Sequence, residues 1–136
     1  MGKRDKDDKE WQNVKKFVFE RDKNKCRFMS IIPAKDASKI RKIAPSTMLR
    51  VLDPAHVIAV GVCSHLVYEP RNIVTLCRWV HECLDNCKSP ITGNMISKEE
   101  RDSYWIKIVG SVTYGTLQEL KKPKYLTKDK EVESNE

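Results

Sequence analysis

The pattern of residues 51–84 constrains this chain more than any other feature. Val51–Val60 is β-branched and apolar and reads as a strand, with Pro54 near its start. A loop containing Gly61, Ser64 and the Glu69-Pro70 pair leads to a second short apolar strand, Ile73–Leu76. Leu76, Trp79, Val80, Cys83 and Leu84 then recur at helical spacing. The middle third is therefore strand, loop, short strand and helix, and the fold has to be built around that order.

The flanks are helical in pattern. Trp11, Val14, Phe17 and Val18 form one stripe of an amphipathic helix over residues 10–22. Lys23–Arg27 reads as a turn into a short strand at Cys26–Ile32, and Pro33–Arg50 as a long connection. That connection carries Lys35, Lys39, Arg41, Lys42 and Arg50 against one acid, Asp36, and connections of such length are commonly functional. Beyond a turn-rich stretch at Asn86–Asn94, Ser97 and Glu100 form a capping box. The helix it opens has Tyr104, Trp105, Ile108 and Val109 on one stripe and ends at Gly110, and Thr116 with Glu119 starts a last short helix. Residues 1–9 and 122–136 are dense in charge and are expected to be disordered. The expectation is one α+β domain over residues 10–121.

Charge narrows the function classes. Residues 1–10 hold four basic and four acidic side chains and residues 121–136 hold five and four, so six of the seven net positive charges fall between them. The folded part is therefore basic, which suits phosphate, although a solubilising surface has the same signature. No stretch approaches the roughly 18–20 apolar residues of a membrane-spanning helix, and residues 1–10 are charged where a signal peptide is apolar. A cytoplasmic protein without a membrane partner is expected. Five cysteines point to reduced thiols or metal ligands ahead of disulfides. The absence of any Cys-x-x-Cys argues against a thiol-redox protein.

Two of the three histidines lie in the strand–strand–helix segment. His56 is in the first strand, Asn72 opens the second, and His81 stands one turn into the helix. A lone strand histidine is more often a partly buried core residue, but the order His, Asn, His changes that reading. The segment from Asp53-Pro54-Ala55-His56-Val57-Ile58 to Asn72-Ile73-Val74-Thr75-Leu76-Cys77 and His81-Glu82-Cys83-Leu84-Asp85 resembles the HNH nuclease motif, the ββα-metal fold. Arg21-Asp22-Lys23-Asn24-Lys25-Cys26 is similar to the arginine–aspartate–turn–cysteine lead-in of many such nucleases. The likeness covers about residues 17–86.

The resemblance implies a ββα-metal core with flanking N- and C-terminal helices. It makes His56 the general base, His81 a metal ligand, and Asn72 the residue that holds the loop positioning the base or joins the metal shell. The chemistry agrees: hydrolysing a phosphodiester needs a water deprotonated beside a polyanion and a cation on the developing charge. Many of these enzymes place a metal ligand immediately before the base, where this chain has Ala55. Strand alternation puts residues 53 and 55 on one face, so Asp53 is the expected second ligand, with His65 and Asp85 as alternatives. The ion is expected to be Mg²⁺ or Mn²⁺, with Zn²⁺ or Ni²⁺ also admissible.

Relatives with a zinc knuckle carry two Cys-x-x-Cys pairs. The corresponding positions here are Cys26 and Met29, then Cys77 and Val80, so half of each pair is missing and no structural zinc is expected. Cys83 and Cys87, four apart, would share a helix face. The expected partner is DNA. Arg71 and Arg78 bracket the second strand and helix start, and Lys39, Arg41 and Lys42 add a basic cluster. Lys15, Lys16, Arg21, Lys23, Lys25 and Arg27 form a further one.

The reading is a divalent-metal-dependent DNA endonuclease that nicks or cleaves, of the kind found among phage and homing nucleases. Two alternatives stay open: a non-catalytic nucleic-acid-binding module on the same fold, and an enzyme for branched DNA. The latter rests on Thr92-Gly93-Asn94 and the helix that follows, which are faintly similar to phage recombination endonucleases of the NinG type.

Overall fold

Two five-residue strands, β1 (Leu52–His56) and β2 (Ile73–Cys77), pair antiparallel in the computed structural model, which describes residues 8–121. The register runs from Leu52 opposite Cys77 to His56 opposite Ile73. Beyond the two ends, Arg78 donates its amide to Val51 and Val57 donates to Asn72, both at 2.8 Å. Those bonds put the odd-numbered residues of β1 in the ladder. Pro54, which has no N–H to give, therefore faces the outer edge, where nothing is lost.

Among the described residues seven α-helices surround this hairpin: α1 (Lys9–Arg21), α2 (Arg27–Ile31), α3 (Ala34–Ile43), α4 (Ser46–Arg50), α5 (Arg78–Asp85), α6 (Lys98–Val109) and α7 (Ser111–Lys121). The architecture is α+β. Helix α5 follows β2 without a loop and packs on both strands. Ala55, Val74, Leu76, Val80 and Leu84 are buried with Phe28, Ile40, Trp105 and Ile108 in the main core. A second cluster joins Ile58, Cys63 and Leu66 of the interstrand segment to Leu117 of α7. A third joins Trp11 and Val18 of α1 to Ile73.

Several expected boundaries are corrected. Residues 26–32 are not a strand: Cys26 accepts the Ser30 amide and hydroxyl, and α2 turns Phe28 fully into the core edge-on to Tyr104. Residues 33–50 are not a connection but α3 and α4, each preceded by a proline, Pro33 and Pro45, at the N-cap. Ala37, Ile40 and Ala44 supply their buried stripe, small enough to be hidden among the lysines and arginines. β1 stops at His56, short of Val60, because the next backbone groups are taken by the Asn72 side chain. Helix α7 starts at Ser111, five residues before Thr116. The capping box at Ser97 and Glu100 is present, and α6 ends at Gly110 with φ +92°. Asp8 and Lys9 are ordered, since the Asp8 carboxylate caps α1 by accepting the Trp11 amide at 3.2 Å. The rest of the two expected tails lies outside the described residues.

The Arg21-Asp22 lead-in fastens α1 to the outer edge of β2. Asp22 accepts the Thr75 amide at 2.9 Å and the Arg21 guanidinium at 2.9 and 3.0 Å. Arg21 also donates to the carbonyls of Ile73 and Pro70 at 2.7 and 3.0 Å. A strand edge that would otherwise offer backbone groups to another chain is thereby occupied. The Asp22 side chain is only 2% exposed. Burial raises its carboxyl, but the hydrogen bonds of Arg21 and Thr75 outweigh that and hold it below the usual carboxylate range. No helix of the described residues is long and apolar enough to cross a membrane.

Candidate active site

Asn72 is wholly buried at the start of β2, and its side chain is spent on the segment that follows His56. Its Oδ1 accepts the Ile58 amide at 2.8 Å, and its Nδ2 donates to the carbonyls of Ile58 and Leu66 at 3.0 and 3.3 Å. One amide thus satisfies three backbone groups that have no ladder partner and fixes the exit of β1. His56, the last residue of that strand, points its Nε2 at the Val67 carbonyl, 2.9 Å away. A carbonyl only accepts, so Nε2 carries a hydrogen. The indole of Trp11 stacks on the imidazole with centroids 5.7 Å apart and planes at 16°. Tyr68 leans on the same indole and donates its hydroxyl to Asp8.

On the other face of β1, Asp53 meets α5. Its Oδ2 lies 3.0 Å from His81 Nδ1, and its Oδ1 accepts from Arg78 at 3.0 Å. His81 Nε2 in turn lies 3.3 Å from Asp85, one helical turn on. Partial burial raises the Asp53 carboxyl, but Arg78 and His81 together pull it below the ordinary carboxylate value. The strand pleat explains the pairing: residues 53 and 55 share the face that α5 covers, and Ala55, fully buried, leaves room only for packing.

The sequence-derived residues thus fall into two groups. Asp53, His81, Asp85 and Arg78 are brought together. His56 is three residues further along β1 on the opposite face, about 10 Å by strand rise. His65, the other alternative ligand, belongs to neither group: it sits beside Cys63, with Nε2 2.8 Å from the Leu120 carbonyl. Cys83 and Cys87 do not share a helix face, since α5 ends at Asp85 and Cys87 has φ +58°.

The donor set of two carboxylates and an imidazole suits a hard or borderline divalent ion. Asp53 and Asp85 lie on different nitrogens of one ring, and among the described residues no three His, Cys, Asp or Glu side chains converge on a single metal position. Holding an ion requires Asp53 to exchange its contacts with Arg78 and His81 for it.

The expected phosphate-binding residues divide similarly. Arg71 is paired with Glu69 at 2.8 Å and Arg78 with Asp53, while Lys39, Arg41 and Lys42 are exposed on α3. Arg21 and Arg27 are structural, Arg27 donating to the Ile108 carbonyl at 3.0 Å and lying 3.5 Å from Asp22. Sequence reasoning missed a shallow groove in which Lys25, Arg41 and Arg50 come together over Met29 and Leu49. Only the helical state of α3 and α4 brings those three cations side by side. Comparison with protein-family models, with curated proteins and with solved structures found no match to this chain.

Proposed function

We propose that the protein is a divalent-metal-dependent DNA endonuclease of the HNH type, built on a ββα-metal core formed by β1, β2 and α5. The observation that carries this reading is Asn72, a buried amide that serves one purpose, fixing the backbone directly behind His56. In this reading His56 takes a proton from water while Val67 holds Nε2, and Asn72 keeps that ring at the end of the hairpin. Asp53, His81 and Asp85 are the residues that would hold the ion, which when bound supplies positive charge to the phosphate and the leaving oxygen. Arg78, which pairs with Asp53 at 3.0 Å, is the neighbouring cation that would be released to a phosphate oxygen if Asp53 held an ion. The groove at Lys25, Arg41 and Arg50 supports DNA as the partner, because three cations with exposed basic neighbours on α3 suit a phosphate backbone.

Incubation of supercoiled plasmid with the protein and Mg²⁺ or Mn²⁺ tests this. Nicked circles are expected with metal and none with chelator; no cleavage with any divalent ion removes the reading. A second reading, a nucleic-acid-binding module without catalysis, is favoured by one observation, the separation of His56 from the Asp53–His81 pair. It expects salt-sensitive binding that metal leaves unchanged. Under either reading, replacing Arg41 and Arg50 together with alanine is expected to lower the slope of log affinity against log salt by about 2, near one unit per lost phosphate contact. A slope equal to that of the unmodified protein would place the DNA elsewhere.

A further inference from the structure

Helix α1 ends in a turn that joins two grooves. Lys23 and Asn24 both have left-handed backbone, with φ +58° and +53°. The Asn24 amide donates to the Phe19 carbonyl at 2.9 Å and the Lys23 amide to the Glu20 carbonyl at 3.1 Å, the paired bonds of a Schellman ending. They fold the chain back beneath the last turn of α1. Asn24 consequently lines the basic groove of Lys25, Arg41 and Arg50 and also a second groove, along α1, whose walls include Asn13, Lys15, Lys16, Phe19 and Glu20. The second groove has a volume of about 480 Å³, within the range of about 300–1,000 Å³ usual for ligand pockets.

The chemistry of these walls is mixed. Phe19 is half-buried, and among the described residues it belongs to none of the three apolar clusters. Across the two joined grooves five cations stand against one acid, Glu20. A surface for phosphates alone has no use for an aromatic wall, nor for the apolar floor that Met29 and Leu49 give the neighbouring groove. The side-chain amides of Asn13 and Asn24 can each donate and accept, as base edges require. In a duplex the base faces are hidden by stacking, and such a groove would meet only edges and phosphates. An unpaired strand offers faces as well, and any base can lie on an aromatic ring.

We propose that the groove along α1 binds an unpaired stretch of a DNA strand, with a base stacked on Phe19 and base edges met by Asn13 and Asn24. The phosphates run past Lys15 and Lys16 and on, over the turn, to Lys25, Arg41 and Arg50. The inference rests on DNA as the partner under the proposed function and deepens it by naming the form of the strand. Phe17 supplies an internal control. It is 53% exposed, lines neither groove, and lies two positions before Phe19, about 200° around the helix. A general effect of losing an aromatic ring from α1 would appear at both positions, whereas stacking in the groove belongs to Phe19.

The test is fluorescence anisotropy of the full chain in chelator, which keeps cleavage out. The probes are a labelled oligothymidylate of about 12 nucleotides, inside the about 4–16 that single-strand sites cover, and a hairpin duplex of equal phosphate count. Phe19→Ala is expected to weaken binding of the single strand by about 5- to 100-fold and of the duplex by less than about 2-fold. Phe19→Trp and Phe17→Ala are expected to bind both probes as the unmodified chain does. No binding of oligothymidylate by the unmodified chain, an unchanged affinity in Phe19→Ala, or an equal loss in Phe17→Ala or on the duplex overturns the proposal. A readout on the unmodified chain stands apart from the folding of the variants. Irradiated with an oligonucleotide carrying 5-iodouracil in place of thymine, it should cross-link at Phe19, assigned by peptide fragmentation; cross-links at other residues only overturn the proposal as well. A chain that nicks plasmid but fails here loses the α1 groove alone, and one that binds here but never nicks loses the nuclease alone.

Discussion

Alanine at position 22 is expected to cost about 2–3 kcal/mol of folding stability, a large share of the about 5–15 kcal/mol that holds a domain together. The side chain is almost fully covered and accepts the Thr75 amide and the Arg21 guanidinium, with Arg27 close by. Its removal leaves an edge amide of β2 without its acceptor and takes the carboxylate from Arg21 and Arg27, which keep only their carbonyl contacts. Arg21 is about a third exposed, so water recovers part of the loss, which places the figure below that for a fully buried pair. Urea unfolding should show the midpoint lower by about 1–2 M. The effect has a defined pH dependence. The folded carboxyl titrates below the ordinary value near about 3.9, so its contribution is complete above that value and is lost as pH falls through the lower folded one. The gap between the unmodified protein and Asp22→Asn should therefore be wide at pH 7 and narrower at acid pH, below the folded carboxyl's own titration. An equal gap at both would remove the charge from the explanation.

The second large effect concerns catalysis. Under the proposed function, His56→Ala is expected to lower plasmid nicking by about 10²–10⁴-fold, the usual contribution of a positioned general base. DNA affinity should change little, because the ring contacts Val67 and Trp11 and the basic groove lies elsewhere. Partial recovery of the rate by added imidazole would tie the loss to proton transfer, since a packing defect would not respond. Nicking at the unmodified rate would end the assignment of His56 as base.

Much of this arrangement was legible in the sequence, for identifiable reasons. His56 and Asn72 are each at an element boundary, where a few residues decide local geometry, His81 is one turn into α5, and the two strands and α5 follow from local apolar spacing. The capping box before α6 was readable because both of its partners lie within four residues. What escaped was set by tertiary contact. Helix α3 buries only Ala37 and Ile40, a stripe too slight to stand out from four basic side chains, so it reads as a loop. The short apolar run in α2 carries no period of its own, and Phe28 settles its state by packing under Tyr104. The pairing of Asp53 with His81 could be foreseen from strand alternation, but the capture of Asp53 by Arg78 could not.

The docking of α1 also has a consequence for synthesis. The contacts of Arg21 and Asp22 with β2 bridge 52 and 53 positions of the chain. A loop of that length is closed only after its far end exists, and nothing local repays its entropy beforehand. A ribosome delivers α1 early and β2 much later. Until residue 77 has left the exit tunnel, Trp11 and Val18 have no Ile73 to cover them, and the nascent chain carries a helix whose apolar stripe waits for its sheet.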